Sequence, residues 1–249
     1  MGGQADPRVE RYRCVATSPG GFIQQLAVSY VGHGYWMYVT GEVPHRKDPR
    51  AVDLKLVQKY GAFWSSAERS RRKKSGRSNV QYLRYGRFFV LVATLGEHEF
   101  FTEERGRIRD FRRHPLRFLG YSISYRGGHP HVRIEEKEYR RQKAFLEELA
   151  VKRRVDTLSE LLQRLPFESY ALVVKQKFAL LRAVNRRRKT AGLELVPSDA
   201  VNCRRRVYRP FEAGPIRSTQ PDAMEGGAEE ERQRIVTVRE IEGCSFEEY

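Results

Sequence analysis

The residues of this chain whose types and spacing could do chemistry begin at His129-Pro130-His131-Val132-Arg133-Ile134. Histidines two apart on a strand share a face and can hold one divalent metal, the arrangement needed by nucleases that break a phosphodiester with a tyrosine. A helix follows directly, with Tyr139 and Lys143 at i and i+4. A tyrosine next to a lysine suits nucleophilic attack at phosphorus. The same residues admit a second reading, in which His129-Pro130 is a turn and Tyr139 is a buried helix residue. Whether the chain is an enzyme therefore stays open. Gly96-Glu97-His98-Glu99 also gathers metal-ligating types, at a turn where such residues collect routinely. The chain has no P-loop, no HExxH, no GxGxxG after a strand and no GxSxG elbow.

Gly128-His-Pro-His-Val-Arg resembles the second motif of rolling-circle replication initiators of the HUH type, which can run Gly-x-His-Pro-His-x-His. Tyr35–Thr40 resembles their first motif, a strand ending in threonine. The resemblance spans about residues 35–145. It implies metal-dependent nicking of single-stranded DNA in a mobile genetic element, with His129 and His131 on Mg²⁺ or Mn²⁺ and Tyr139, beside Lys143, as nucleophile. No cofactor is expected outside that reading. The chain departs from the motif at Arg133, which stands where a metal-binding histidine belongs, and at the proline between His129 and His131. Tyr139 also follows the histidines at a shorter spacing than the family uses.

The charge points to a partner class more directly. Forty-seven Lys and Arg against 31 Asp and Glu give +16 over 249 residues. Residues 212–249 hold ten acidic and four basic residues, a net of −6, so residues 1–211 carry +22. Such an excess draws a protein to polyanions. Arginine, the prevalent cation, favours planar bidentate contact with phosphate or guanine. The basic clusters expected to contact DNA or RNA are Arg71, Arg72, Lys73, Lys74 and Arg77, then Arg186, Arg187 and Arg188, then Arg204, Arg205 and Arg206. Two further basic stretches are Arg105–Arg117 and Arg140–Arg154. Tyr82 and Arg84 alternate onto one strand face and are expected to offer a stacking and phosphate surface. An interaction protein whose basic surface meets an acidic protein or the ribosome is the alternative that needs no nucleic acid.

The elements that must position these residues follow from period and punctuation. Asn79–Phe101 reads as two strands joined at Tyr85-Gly86, with the near-continuous apolar run Phe88–Leu95 as a strand covered on both faces. Asp48-Pro49 marks a helix start. Tyr35–Thr40, Phe118–Tyr125 and His131–Ile134 read as strands, Glu103–Arg113 as a short basic helix, and Glu136–Arg153, Val155–Leu165 and Tyr170–Arg188 as helices. The expected class is α+β, one antiparallel sheet with helices on one face, followed by a helical extension and a disordered acidic tail. The expected boundaries are a flexible lead-in (1–20), a core (21–154), a basic helical extension (155–211) and an acidic tail (212–249). Within that tail Arg234–Ile241 reads as a late strand. The tail is expected either to solubilise or to fold back and compete with phosphates.

Cys14, Cys203 and Cys244 are far apart and form no CxxC, which suits a reducing compartment. No run of eighteen apolar residues and no apolar leader is present, so a cytoplasmic protein without a membrane partner is expected. Oligomeric state is not legible in the sequence.

Overall fold

The computed structural model describes residues 6–212, and the expectations for the acidic tail lie outside the described residues. The class is α+β, as the sequence implies, but the strands divide between two antiparallel sheets rather than forming one. The first sheet follows the order β2-β3-β1-β4, built from β1 (Met37–Glu42), β2 (Val80–Tyr85), β3 (Phe88–Ala93) and β4 (Arg109–Asp110). The second consists of β5 (Leu116–Phe118), β6 (Tyr121–Arg126) and β7 (His129–Ile134) in sequential order.

The helices are α1 (Pro7–Arg11), α2 (Pro19–Gln24), which continues as a π-helical turn to Tyr30, α3 (Pro49–Lys59), α4 (Ser66–Lys74), α5 (Glu99–Glu103), α6 (Glu136–Leu149), α7 (Val155–Gln163) and α8 (Ala171–Thr190). Their starts are chemically marked. Asp48 accepts from the backbone N–H groups of Arg50 and Ala51, both at 3.1 Å, ahead of Pro49. Ser65 and Glu68 close a reciprocal capping box on α4, which ends with the basic run on its carbonyl pole.

The hairpin β2–β3 turns at Gly86 and pairs Leu83 with Val90 and Tyr82 with Leu91. Val90, Leu91, Val92 and Ala93 are all buried, so β3 is covered on both faces as its composition implies. On one side Leu83, Val90 and Val92 pack with Phe22 and Leu26 of the α2 segment and with the apolar face of the second sheet. On the other, Val80, Tyr82 and Leu91 pack with α1, α3 and Phe100. A third core joins Leu146 and Ala150, at the end of α6, to Leu158 of α7 and Leu180 of α8.

Three local expectations are corrected. Residues 6–20 are built into the core rather than forming a loose lead-in: Val9, Cys14 and Ala16 are buried, and the segment runs along β2. There the Arg84 N–H donates to the Cys14 carbonyl and the Ala16 N–H to the Arg84 carbonyl, both at 2.7 Å. Phe118–Tyr125 is a hairpin rather than one strand, because Leu119 (φ 43°) and Gly120 (φ 75°) turn the chain in the left-handed region. Glu103–Arg113 is not a helix. It turns after α5 and forms the edge strand β4, because the apolar positions Ile108 and Phe111 are called into two different packing clusters.

The two sheets meet at Phe111, which is fully buried. Its N–H donates to the Trp36 carbonyl at 2.9 Å, and its carbonyl accepts from the Tyr125 N–H at 3.1 Å. The Tyr38 hydroxyl adds a bond to the His114 carbonyl at 2.9 Å. At the far end, residues 208–212 return to α2: Gln24 exchanges side-chain bonds with the Tyr208 backbone, and Thr17 bonds to the carbonyls of Pro210 and Glu212.

Gly96 sets a test of this frame. Its φ is 133°, and a Cβ there would lie 2.6 Å from the Gly76 carbonyl oxygen. Gly96→Ala is expected to lower unfolding free energy by about 2 kcal/mol or more in urea titration, from strain and backbone displacement together.

Candidate nucleic-acid interface

The predicted basic residues separate into two groups. Arg71, Lys73, Lys74 and Arg77 are exposed at the end of α4, as are Arg186 and Arg187 near the end of α8 and Arg204, Arg205 and Arg206 beyond it. Arg205 lies over the Tyr170 ring at 4.4 Å, and burial pushes that tyrosine's pKa up to about 12. Arg72 is half-buried, with Nη2 on the Ser78 carbonyl at 3.0 Å and its guanidinium 5.5 Å from the Trp64 ring centre.

Three expected contact residues are structural instead. Tyr82 has no exposed surface, and Arg84 is 9% exposed. They do share a face, but it is the face covered by α3. There Arg84 holds Asp53 through two bonds of 2.7 Å, and the Tyr82 hydroxyl donates to the same carboxylate at 2.7 Å. Neither group can reach a base or a phosphate. Arg188 is 4% exposed, and its Nη1 donates to the carbonyls of Ala150 and Arg153, tying α8 to the end of α6. Cys14 is packed beside the Asp53–Arg84 pair; burial, and next the Asp53 charge, push its thiol up to about 12, so it is no thiolate nucleophile. A hollow of about 690 Å³ opens over this pair, but its floor is satisfied.

The histidine motif folds as the strand β7, with His129, His131 and Arg133 on one face and Pro130, Val132 and Ile134 on the other. Their cross-strand partners are Arg126 for His129 and Ser124 for His131, so cations and hydroxyls, not carboxylates, flank the imidazoles. Among the described residues no third His, Cys, Asp or Glu completes a metal-binding group. Tyr139 packs against the cluster that holds Val132 and Ile134, the face opposite the histidines. Burial raises its pKa, which is the wrong direction for a nucleophilic phenolate, and Lys143 pairs with Glu147 at 3.9 Å. The geometry thus does not bring His129, His131, Tyr139 and Lys143 into one site. His98 likewise acts as a helix cap, its Nδ1 accepting from the Phe100 N–H at 3.0 Å.

What the histidine face does join is a cleft of about 490 Å³ between the edge of the first sheet and the outer face of the second. Arg109 enters from β4, cross-strand from Tyr38 of β1; Arg113 follows in the next turn. From the second sheet Arg117, Ser122 and Arg133 form one row across β5, β6 and β7. Strand spacing puts the two row-end arginines roughly 9–10 Å apart at their Cα atoms. Ser122 is 6% exposed, and no hydrogen bond of its hydroxyl occurs among the described residues. Arg117 has a loose ion pair with Glu135 at 3.6 Å, whereas Arg109, Arg113 and Arg133 have none among the described residues. The other lining carboxylate, Glu136, bonds to Arg140 at 2.8 Å.

The sequence marks Arg105–Arg117 as a basic stretch and Arg133 as a departure from the histidine motif, but nothing in it joins Arg109, Arg113, Arg117 and Arg133 in one site. The available signal was the period-2 placement of Arg133 with the histidines. No protein-family model matches the chain, and no curated protein matches its sequence. Among the described residues no helix is long and apolar enough to cross a membrane.

Arg84 gives the sharpest mutational contrast. Arg84→Met leaves Asp53 buried without its partner and is expected to cost about 3–5 kcal/mol of stability in chemical denaturation. Arg133→Gln, on an exposed side chain, is expected to change stability by less than about 0.5 kcal/mol.

Proposed function

We propose that this chain is a nucleic-acid-binding protein that fixes phosphate in the cleft between its two sheets and gathers the rest of the strand on its exposed Arg and Lys clusters. One observation carries the reading: four arginines converge on one cleft, and three of them have no carboxylate partner among the described residues. Holding like charges together costs energy, and an anion that enters removes that cost while its counterions are released to solvent. Guanidinium groups match phosphate oxygens through paired N–H donors, which supports a phosphate backbone over a scattered carboxylate surface. The exposed clusters at the ends of α4 and α8 and at 204–206 extend the positive field without fixing a register. His129 and His131 lie on the same strand face as Arg133, outside the cleft's lining.

Fluorescence anisotropy with a labelled single-stranded oligonucleotide tests the reading. Affinity is expected to fall steeply between about 50 and 200 mM salt, with a log–log slope of several units. Arg109→Gln and Arg133→Gln are each expected to reduce that slope by about one. Absence of binding at low salt overturns the proposal. Retention of one acidic protein after nuclease treatment, with no affinity for the oligonucleotide, supports the alternative of a basic interaction protein.

A further inference from the structure

The cleft has a shape and charge that go beyond general attraction for a polyanion. We propose that it is a site for a terminal phosphate monoester, the phosphorylated end of a nucleic-acid strand or of a free nucleotide. This deepens the nucleic-acid reading and, for the strand-end source, rests on it.

Four arginines offer more charge than one internal phosphodiester carries. A monoester holds roughly −1.5 to −2 at neutral pH and presents three terminal oxygens rather than two. The row Arg117–Ser122–Arg133 supplies a matching cradle: two guanidinium arms, with a hydroxyl between them on the floor. Ser122 is more than nine-tenths buried, its hydroxyl has no protein partner among the described residues, and it lines the cleft, so that hydroxyl is free to bond a ligand oxygen. Arg109 and Arg113 line the same cleft from β4 and the turn after it.

The surroundings favour an end over a passing strand. Glu135 and Glu136, at the start of α6, also line the cleft, and Glu135 lies 3.6 Å from the cradle arm Arg117. Four lining arginines less these two glutamates leave +2, which matches a monoester of roughly −2 and exceeds the single charge of an internal phosphodiester. The cleft, of about 490 Å³, has room for one nucleotide. Tyr38 is buried with its ring 4.3 Å from that of Phe111, so it offers no face for a base to stack on. The cradle itself thus reads the phosphate, and Tyr38 takes no part in reading a base.

The test compares single-stranded oligonucleotides of one sequence carrying a 5′-phosphate, a 3′-phosphate or hydroxyls at both ends, by anisotropy at fixed salt, with inorganic pyrophosphate as a competitor. A phosphorylated end is expected to bind about tenfold or more tightly than the hydroxyl-ended strand. Ser122→Ala and Arg133→Gln are expected to bring that ratio to about one, with thermal melting confirming that both fold. Arg71→Gln, away from the cradle, is expected to weaken all strands alike and keep the ratio. Equal affinity for all three strands in the unsubstituted protein overturns the terminal-phosphate site while nucleic-acid binding stands. A preference that survives both cradle substitutions overturns its assignment to this cleft. If no strand binds, the nucleic-acid reading fails and calorimetry with pyrophosphate decides the cleft. Binding heat lost in Arg133→Gln assigns it to a free nucleotide or polyphosphate, and no heat overturns it.

Discussion

The backbone of Phe111 is the constraint on which the functional surface depends. One residue donates to Trp36, at the start of the first sheet, and accepts from Tyr125 of the second, so two small antiparallel sheets are fixed edge to edge by a pair of hydrogen bonds in a dry setting. Bonds shielded from water in this way are costly to leave unmade, which makes the junction rigid. Arg109 and Arg113 lie two residues to either side of it, and Arg117, Ser122 and Arg133 lie on the sheet it recruits. The cleft is thus a product of where the sheets join. Neither sheet contains it alone.

Arginine serves two opposed purposes in this fold. Arg84 and Arg188 are buried, with their donors consumed by Asp53 or by helix-end carbonyls, and they hold elements together that lie far apart in sequence. Arg109, Arg113 and Arg133 are left without such partners among the described residues, so their donors face solvent. The difference is environmental. A buried guanidinium must be satisfied by the protein itself, whereas one at the rim of a cleft can wait for a ligand. Net charge alone cannot separate these roles, since both kinds add equally to the +16 total.

Local signals carried much of the architecture. Asp48-Pro49 caps α3, Tyr85-Gly86 turns the central hairpin, and the unbroken apolar run at Val90–Ala93 marks the strand buried on both faces. What was illegible depends on residues distant in the chain. The alternation at Tyr82 and Arg84 correctly puts them on one face, but only the arrival of Asp53, 31 residues earlier, decides that this face is internal. Glu103–Arg113 has helix-forming composition, yet Phe111 is claimed by the sheet junction and β4 forms instead. The hairpin at Leu119-Gly120 was hidden because a leucine rarely adopts positive φ. The cleft's four arginines and Ser122 all lie within residues 109–133, but the turns and register of three strands, with β1 behind them, decide which of them meet, so their spacing along the chain forms no motif.

The return of residues 208–212 to α2 bears on how the molecule is made. The bonds from Gln24 to Tyr208 and from Thr17 to Glu212 span 184 and 195 residues. A ribosome releases the amino-terminal end first, so α2 emerges long before its partner exists. Gly20, whose missing side chain makes room for the Tyr208 ring, lies uncovered until nearly all of the described chain has been synthesised. The two sheets and the α6–α8 core can close earlier, because their contacts are nearer in sequence. Seating residues 208–212 on α2 is then a latch, closed by a segment synthesised long after the helix it covers.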